Sequence, residues 1–552
     1  MTDNRVNMRQ PDGIADLILL VRHCRARAAG PPRGDAIAVA SGRVLLIDRR
    51  ARALRLRGRR TRVVELPHAV ITPGLVDCHT HFFYWALHRA LAIDVSALRS
   101  LDAVLHRIRA QARTRHIGDW VLARGFDPNL WTSGLPSARD LDRIVPDRPV
   151  MVRSHDGHTA WLNTTGLRRA GITGQTSDPP GGQIVRDARG RPTGILRESA
   201  LELLPDPLRE LARQSGAALE RLIDRALSSA YRVAWRHGLV GIHSMDDGTS
   251  LSHLARHRLE GRLGLRVLHA VVRQDLPKAV ELGLRSGWGD EWLRLGGVKI
   301  FADGALGSQT AYMFDSYPGR RGYHGVPVTT GSELVELVCA AAQRGWAVWI
   351  HAIGDRAVRE AVTAIAAARR FGRPALPHRI EHAQCVRPAD VRRMARLGIV
   401  ASVQPCHLPD DIPIADRHWP RARRHAYPFR RLLAAGVTLA AGSDVPIESL
   451  DPRGSLFGAG ARADPQGSPA GGWFPAQRLT TAEVLHAFTR GAALAAGATD
   501  PAAGTLTPGA PADMTIWADD PLRVAPRALR EIGILGCVVG GQVHLRDDGE
   551  PS

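Results

Sequence analysis

The 552-residue sequence is poor in cysteine and contains no long apolar segment. Its six cysteines are scattered without a Cys-x-x-Cys pair, which argues against a disulfide framework and against a thiolate zinc knuckle. No stretch approaches the ~18 consecutive apolar residues of a membrane span, and the short amino-terminal run ADLILLV is too brief for a secretory signal. We therefore expect a cytoplasmic protein without a membrane partner.

Lysine is scarcer still, because only Lys278 and Lys299 occur among the 74 basic residues. Lys278 follows a proline in a polar segment, whereas Lys299 lies in the apolar, strand-like run LRLGGVKIFADG. This chain uses arginine wherever a plain positive charge is enough. A lysine in a buried strand therefore indicates chemistry that a guanidinium group cannot perform.

Acidic residues are outnumbered, and the formal net charge is +20. The arginines are nevertheless spread along the whole chain and alternate with acids, and the densest clusters lack the interleaved aromatic side chains of a single-strand binding platform. Aromatic residues make up only 5% of the chain. We expect a solvated basic surface and no nucleic-acid partner. A non-catalytic regulatory or nucleic-acid-binding protein is kept as a remote alternative.

Strand-like runs at both ends bracket a long middle in which apolar runs alternate with helical stretches. Eight such runs, the first starting at Val70 and the last ending at Pro446, predict an α/β fold with a (β/α)8 TIM barrel. The strand-like runs at the two chain ends predict a small β-sandwich domain. The long stretch between the first and second barrel strands predicts a large insertion after barrel strand 1. The expected ranges are 14–69 and 501–548 for the sandwich, 70–500 for the barrel and about 98–235 for the inserted subdomain.

Six potential metal ligands follow or end the predicted barrel strands, where barrel enzymes keep their catalytic groups. They are His79, His81, Lys299, His351, His382 and Asp444. His79 and His81 are two residues apart, so both project from the same side of an extended chain. Imidazole and carboxylate groups suit zinc or a similar divalent ion, so the pattern predicts a metal centre at this end of the barrel.

The motifs that carry these residues resemble those of a known family. PGLVDCHTH, GGVKIFADGALGSQTA, HAIGDRAV, RIEHAQ and GSDVPIESLDP are similar to motifs of the amidohydrolase superfamily, specifically the YtcJ-like amidohydrolase family 3 that includes N-substituted formamide deformylase. The resemblance spans nearly the whole chain. It implies a metal-dependent amidohydrolase that hydrolyses a non-peptide C–N bond, in an amide or an N-substituted formamide.

The resemblance also implies roles for the six residues. His79 and His81 with Asp444 would hold one metal ion, His351 with His382 a second, and Lys299 would bridge them as a CO2-derived carbamate. One or two divalent ions, with zinc as the first expectation, would then activate a water as hydroxide. Asp444 would accept the proton of that water and deliver it to the leaving nitrogen.

Further residues are expected near the substrate. His158, in SHDGHTAWLN, is expected to bind substrate, and Asp303 and Ser308 either line the pocket or buttress the loop after Lys299. Glu381 either supports a ligand or is a solvated carboxylate. The aromatic run 82–85 either lines a hydrophobic substrate pocket or packs against the insertion.

Two other enzyme types fit the same scaffold. A deaminase or an ester or lactone hydrolase with a single metal ion is the alternative to a two-metal amidohydrolase. In each case the expected partner is a small-molecule substrate. The sequence leaves the oligomeric state open, with a homodimer as the working expectation.

Overall fold

The computed structural model describes residues 13–28, 30–114, 119–127, 131, 134–155, 157–179, 181–213 and 216–546. The strands of these residues, numbered in chain order, are β1 (Ala15–Arg25), β2 (Pro32–Ala40), β3 (Arg43–Asp48), β4 (Arg57–Pro73), β5 (Leu75–Thr80), β6 (Ile93–Asp94), β7 (Val121–Phe126), β8 (Val150–Ser154), β9 (Thr159–Leu162), β10 (Gly182–Arg186), β11 (Pro192–Glu198), β12 (Leu239–Ser244), β13 (Arg266–Val272), β14 (Leu293–Phe301), β15 (Val348–Ala352), β16 (Arg379–His382), β17 (Val400–Val403), β18 (Leu439–Ala441), β19 (Met514–Trp517), β20 (Ile534–Val539) and β21 (Gln542–Leu545).

The α-helices, numbered in the same way, are α1 (Arg50–Leu54), α2 (Phe82–Leu91), α3 (Leu101–Gln111), α4 (Ala138–Asp142), α5 (Thr164–Arg169), α6 (Pro207–Arg213), α7 (Ala217–Arg236), α8 (Gly248–Leu259), α9 (Leu276–Glu281), α10 (Gly331–Gln343), α11 (Asp355–Ala368), α12 (Pro388–Leu397), α13 (Leu408–His418), α14 (Phe429–Ala434), α15 (Pro452–Ala461), α16 (Thr481–Phe488) and α17 (Arg490–Ala495). From β12 onward, strands and helices alternate as they do in a parallel sheet with crossover helices.

Eight parallel strands form the barrel, in the order β5, β12, β13, β14, β15, β16, β17 and β18. The end of β5 reaches the segment after β18, where Thr80 and Val445 form a parallel bridge and Asp444 N donates to His79 O at 2.8 Å. Every residue of β15, β16 and β17 is buried, as expected for strands covered on both faces. The predicted (β/α)8 barrel is confirmed.

The chain between α2 and α7 contains a separate six-stranded sheet in the order β10, β11, β9, β8, β7 and β6. Strands β6, β7 and β8 are parallel, whereas β9, β10 and β11 are joined by antiparallel pairing. The sheet has its own hydrophobic cluster, which includes Phe126, Trp161 and Ile195. This confirms the predicted insertion after the first barrel strand.

Both ends of the described chain meet in one seven-stranded sheet, ordered β21, β20, β19, β4, β1, β2 and β3. Side chains alternate along β1, so that Leu17 and Leu19 enter one hydrophobic cluster and Ile18 and Leu20 enter another. Thr515 on β19 joins this domain to the barrel, because its hydroxyl donates to Gly238 O at 2.7 Å. The small β domain predicted from the two chain ends is confirmed.

None of the helices in the described ranges is long and apolar enough to cross a membrane.

Candidate metal centre and active site

Six side chains meet at the end of the barrel where the parallel strands finish. His79 is on β5 and His81 follows it, Lys299 is on β14, and His351 is on β15. His382 is the last residue of β16, and Asp444 lies three residues beyond β18. The structure therefore brings together all six residues that the sequence singled out as potential metal ligands.

The centre of the cluster is formed by His79, His382 and Asp444. One ligand atom from each lies within 4.8 Å of the others. The Oδ1 atom of Asp444 is 3.4 Å from Nε2 of His79, and its Oδ2 atom is 4.0 Å from Nδ1 of His382. Two imidazoles and a carboxylate facing one point form a donor set suited to a divalent transition metal ion.

His81 extends this cluster on its open side. Its Nε2 atom lies 3.5 Å from the same Oδ1 atom of Asp444, and its Nδ1 atom lies 3.7 Å from Oδ1 of Asp246. The His81 side chain is about one-third exposed, whereas His79 is fully buried. Both imidazoles thus approach the same oxygen of Asp444, His79 from inside the barrel and His81 from its mouth.

Lys299 approaches the same ring nitrogen of His79 as Asp444 does. Its Nζ atom is 3.4 Å from Nε2 of His79 and 4.8 Å from the ring centre of Phe301. Burial lowers the pKa of Lys299 to about 8, a shift that the nearby carboxylates of Glu381 and Asp444 oppose. The neutral amine is therefore the minor form at pH 7, about one part in ten, but it is far more populated than in a free lysine.

His351 completes the group beside His382. The two rings are 4.5 Å apart between centres, and Nε2 of His351 is 3.1 Å from the carbonyl oxygen of Gly304. Burial holds the pKa values of His79, His351 and His382 well below that of free histidine. Neutral imidazoles keep a nitrogen lone pair for a cation, so these residues fit a metal centre.

The buried ion pair of Glu381 and Arg379 positions the ring of His79. Nδ1 of His79 lies 2.6 Å from Oε2 of Glu381, and the carboxylate of Glu381 also contacts Arg379, whose Nε is 2.8 Å from Oε1. Arg379 donates to the carbonyl oxygen of Cys78 as well. A carboxylate at Nδ1 fixes the tautomer that leaves Nε2 free for a metal ion. Of the two alternatives for Glu381, the structure places it against the ligand.

Arg379 is itself held inside the barrel by the side chain of Trp349. The guanidinium carbon is 4.2 Å from the ring centre of Trp349, and Nη1 is 2.9 Å from Nδ1 of His243. The ring of Trp349 occupies the space beside Gly296 and Gly297, where a Cβ atom on Gly296 would lie 2.2 Å from Cη2. The two glycines before Lys299 therefore make room for the aromatic support of this ion pair.

Asp77 links the two strand ends that carry His79 and Asp444. Its carboxylate accepts hydrogen bonds from the backbone N–H groups of His79 and Ser443, at 3.1 and 3.0 Å. Gln404 makes a comparable contact at His382, with 2.8 Å between Oε1 and Nδ1. Sequence reasoning missed Asp77, Gln404 and Arg379 as positioning residues. Asp77 and Arg379 gave a signal, since they lie within the PGLVDCHTH and RIEHAQ motifs.

A cavity of about 990 Å³ opens over the cluster. Its wall includes His158, Ser308, His351, His382, Asp444 and Glu448. Glu198 joins the first two of these residues, because its carboxylate lies 2.8 Å from Nδ1 of His158 and accepts from the hydroxyl of Ser308 at 3.1 Å. The inserted sheet thus contributes His158 and Glu198 to the space beside the barrel histidines.

Asp303 lies behind this wall. Its carboxylate accepts backbone hydrogen bonds from Tyr312, Ile353 and Gly354, and burial raises its pKa to about 7. These contacts tie the loop after β14 to the loop after β15. Of the two roles left open for Asp303, the geometry matches support of the loop, while Ser308 faces the cavity.

The aromatic run after His81 packs into the protein instead of lining the cavity. Phe82 is stacked on Tyr231 of α7 with 5.8 Å between ring centres, and Phe83 is stacked on His253 of α8 at 5.3 Å. Both phenylalanines are fully buried. Of the two alternatives for this aromatic run, a pocket wall or packing, the structure therefore shows packing.

Comparisons with known proteins agree with this architecture. A profile described as the amidohydrolase family matches residues 62–544. The protein YtcJ of Bacillus subtilis (strain 168) is 30% identical over 491 residues, which cover 88% of this chain and 90% of YtcJ. N-substituted formamide deformylase of Arthrobacter pascens is 26% identical over 549 residues, which cover 97% and 99% of the two chains.

Solved structures show the same relationship. The crystal structure of a metal-dependent hydrolase from Pyrococcus furiosus is 26% identical and covers 92% of this chain and 100% of its own, with a TM-score of 0.72. The resemblance to YtcJ-like proteins and to N-substituted formamide deformylase, first indicated by the motifs, is thus confirmed. With the profile matching most of its length, the chain belongs to the amidohydrolase family.

Proposed function

We propose that this protein is a metal-dependent amidohydrolase that cleaves a non-peptide C–N bond, in an amide or an N-substituted formamide. The observation that carries the proposal is the convergence of His79, His382 and Asp444 within 4.8 Å, with His382 and Asp444 lining the large cavity. Family membership supports hydrolysis in general. N-substituted formamide deformylase, a relative that this chain matches over nearly its whole length, supports the choice of bond.

Two neighbouring metal positions are proposed. His79 and His81 with Asp444 would hold one ion, and His351 with His382 the other, while Lys299 as a carbamate would add oxygen donors to both. The close group of His79, His382 and Asp444 would then contain donors of both ions, side by side. Nitrogen and carboxylate donors of this kind suit zinc. When bound, such ions polarise a substrate carbonyl and lower the pKa of a water molecule.

The protein's own groups would handle the proton and the substrate. Asp444 is partly accessible from the cavity, so its carboxylate can accept the proton of the attacking water and return it to the leaving nitrogen. Glu198 holds Nδ1 of His158, and this contact orients the ring at the wall of the cavity, where it would contact a substrate. Asp77 and the Glu381–Arg379 pair keep the ligands in place during these steps.

The test combines metal analysis with a substrate panel. We expect about two zinc ions per chain, loss of activity on chelation, recovery on adding zinc, and turnover of N-substituted formamides or acyl amides. Asp444→Asn should remove turnover while much of the metal remains, and Asp519→Asn, at an exposed carboxylate, is the matched control. Turnover of lactones or deamination of amines in place of amide cleavage would contradict the proposal, as would activity that is indifferent to metal.

A further inference from the structure

A second cavity lies beside the large one, against the segment that follows Asp444. It has a volume of about 440 Å³, and residues 445–450 form one of its walls. Four residues line both cavities, namely Ser96, His155, Ile447 and Glu448. The two cavities are therefore separated mainly by residues 445–450, which directly follow Asp444.

Five arginines line this second cavity, which we call the arginine cavity. They are Arg89, Arg124, Arg236, Arg453 and Arg546. They come from α2, β7, α7, α15 and the residue after β21, so that the barrel, the insertion and the terminal sheet all contribute. Glu448 is the single carboxylate among the described residues of its lining.

Carboxylates neutralise only part of this charge. Arg124 pairs with Asp94 at 2.5 Å and Arg453 pairs with Asp451 at 2.6 Å. Within the described ranges, neither Arg89 nor Arg546 has a carboxylate within salt-bridge distance. The cavity therefore carries an excess of positive charge, in a place where the protein walls reduce screening by solvent.

Part of the remaining lining is apolar, beside the polar side chains of Ser96, His155, His237 and Ser449. Trp85 lies beneath the guanidinium group of Arg89, with 6.0 Å between the guanidinium carbon and the ring centre, and Val233, Leu450 and Ile534 extend the apolar surface. Guanidinium groups bind carboxylate and phosphate oxygens through paired hydrogen bonds, and an adjoining apolar surface accepts a short carbon skeleton. The cavity thus combines the two features that a small organic anion requires.

We propose that the arginine cavity is a binding site for a small anion with carboxylate or phosphate groups, distinct from the metal centre. Arg89 and Arg546 would supply the uncompensated charge, and the segment 445–450 would contact the bound anion. The proposal goes beyond the proposed hydrolysis, because it concerns a different cavity and binding can be measured without turnover.

Calorimetric titration of the metal-loaded protein tests this proposal. Succinate and inorganic phosphate are the probes, each at an ionic strength held constant with sodium chloride. We expect saturable binding of at least one of them, and the stronger of the two identifies the natural ligand as a carboxylate or a phosphoryl compound. The absence of saturable binding of both probes at constant ionic strength would overturn the proposal, because an interaction that appears only at low ionic strength reflects general attraction to a basic surface.

Two variants locate the binding. Arg89→Gln and Arg546→Gln should each weaken it at least about fivefold, because each removes a guanidinium group that has no carboxylate partner among the described residues. Arg221→Gln, at an exposed position of α7 outside the cavity, is the matched control and should leave affinity unchanged. An affinity that is the same in wild type, Arg89→Gln and Arg546→Gln would place the anion at the metal centre and refute the site.

Discussion

The Nζ atom of Lys299 lies 3.4 Å from Nε2 of His79, inside a barrel where both side chains are buried. An ammonium group at this distance would donate to the Nε2 lone pair of His79, which the proposed metal ion needs, and burial lowers the pKa of Lys299 to about 8. A neutral primary amine is the form that reacts with CO2. The short distance between these two atoms therefore suggests substituting Lys299 as a test.

Replacing Lys299 by arginine should remove activity while the other lysine tolerates the same change. Arginine cannot form a carbamate, and its guanidinium stays charged beside His79, so we expect at least about a 100-fold loss of kcat/KM and a lower zinc content. Lys278 is exposed, and Lys278→Arg should behave as wild type in both measurements. Equal activity of the two variants would rule out a chemical role for Lys299.

Glu381→Gln should affect both stability and metal binding. It leaves the fully buried Arg379 without its carboxylate, which should cost about 3–5 kcal/mol of unfolding free energy in urea titrations of the metal-free protein. It also removes the anchor of His79, so metal affinity measured by chelator competition should fall about 10–100-fold. The control is Glu291→Gln, which breaks the exposed pair with Arg43 and should cost about 0–1 kcal/mol. A Glu381 variant as stable as this control would contradict the assignment.

The carboxyl group of Asp224 should make the free energy of unfolding depend on pH. Hydrogen bonds from His257, Arg262 and Arg256 lower the pKa of Asp224 to about 2, against the opposing effect of burial. A carboxyl group with a depressed pKa stabilises the fold above its unfolded-state pKa, and this contribution disappears as the pH falls through the folded value. Because solvent screens the site in part, Asp224→Asn should cost only about 1 kcal/mol at pH 7. The difference from wild type in urea unfolding should shrink between about pH 4 and pH 2, and a difference that is constant over this range would show that charge is not its cause.

Gly296→Ala should destabilise the barrel. The new Cβ would lie 2.2 Å from Cη2 of Trp349, which cannot move without disturbing Arg379. Overpacking of this kind costs about 1–3 kcal/mol, so the urea midpoint should fall. Gly174→Ala is the control, since its Cβ would meet only the carbonyl oxygen of Gly190 at 3.8 Å. Equal urea midpoints for Gly296→Ala and Gly174→Ala would show that the ring of Trp349 moves aside without a cost in stability.

The barrel could be predicted because each strand is a short apolar run that ends in a polar residue. His351 and His382 follow runs whose residues are all buried, and the number and order of such runs are sufficient to define a closed parallel sheet. His79 and His81 could be paired from the two-residue period of a strand alone. The candidate metal ligands were therefore accessible to sequence reasoning, since strand ends of one barrel meet at one place.

The supporting residues were not accessible in this way. Arg379 lies in the RIEHAQ motif, but a single sequence does not show that its guanidinium is buried against Glu381. Glu198 reaches His158 and Ser308 only because the inserted sheet and the loop after β14 approach each other in three dimensions. Contacts of this type depend on loop paths, which hydrophobic periodicity does not determine.

Strand β4 occupies the middle of the terminal sheet, with β1 on one edge and β19 on the other. During synthesis β1 and β4 emerge early, whereas β19 leaves the ribosome only after the whole barrel has been translated. Until Met514–Trp517 arrives, the nascent domain presents an unpaired strand edge to other chains. Completion of this sheet is consequently a late event in biogenesis, and truncation before β19 would turn that edge into a nucleus for aggregation.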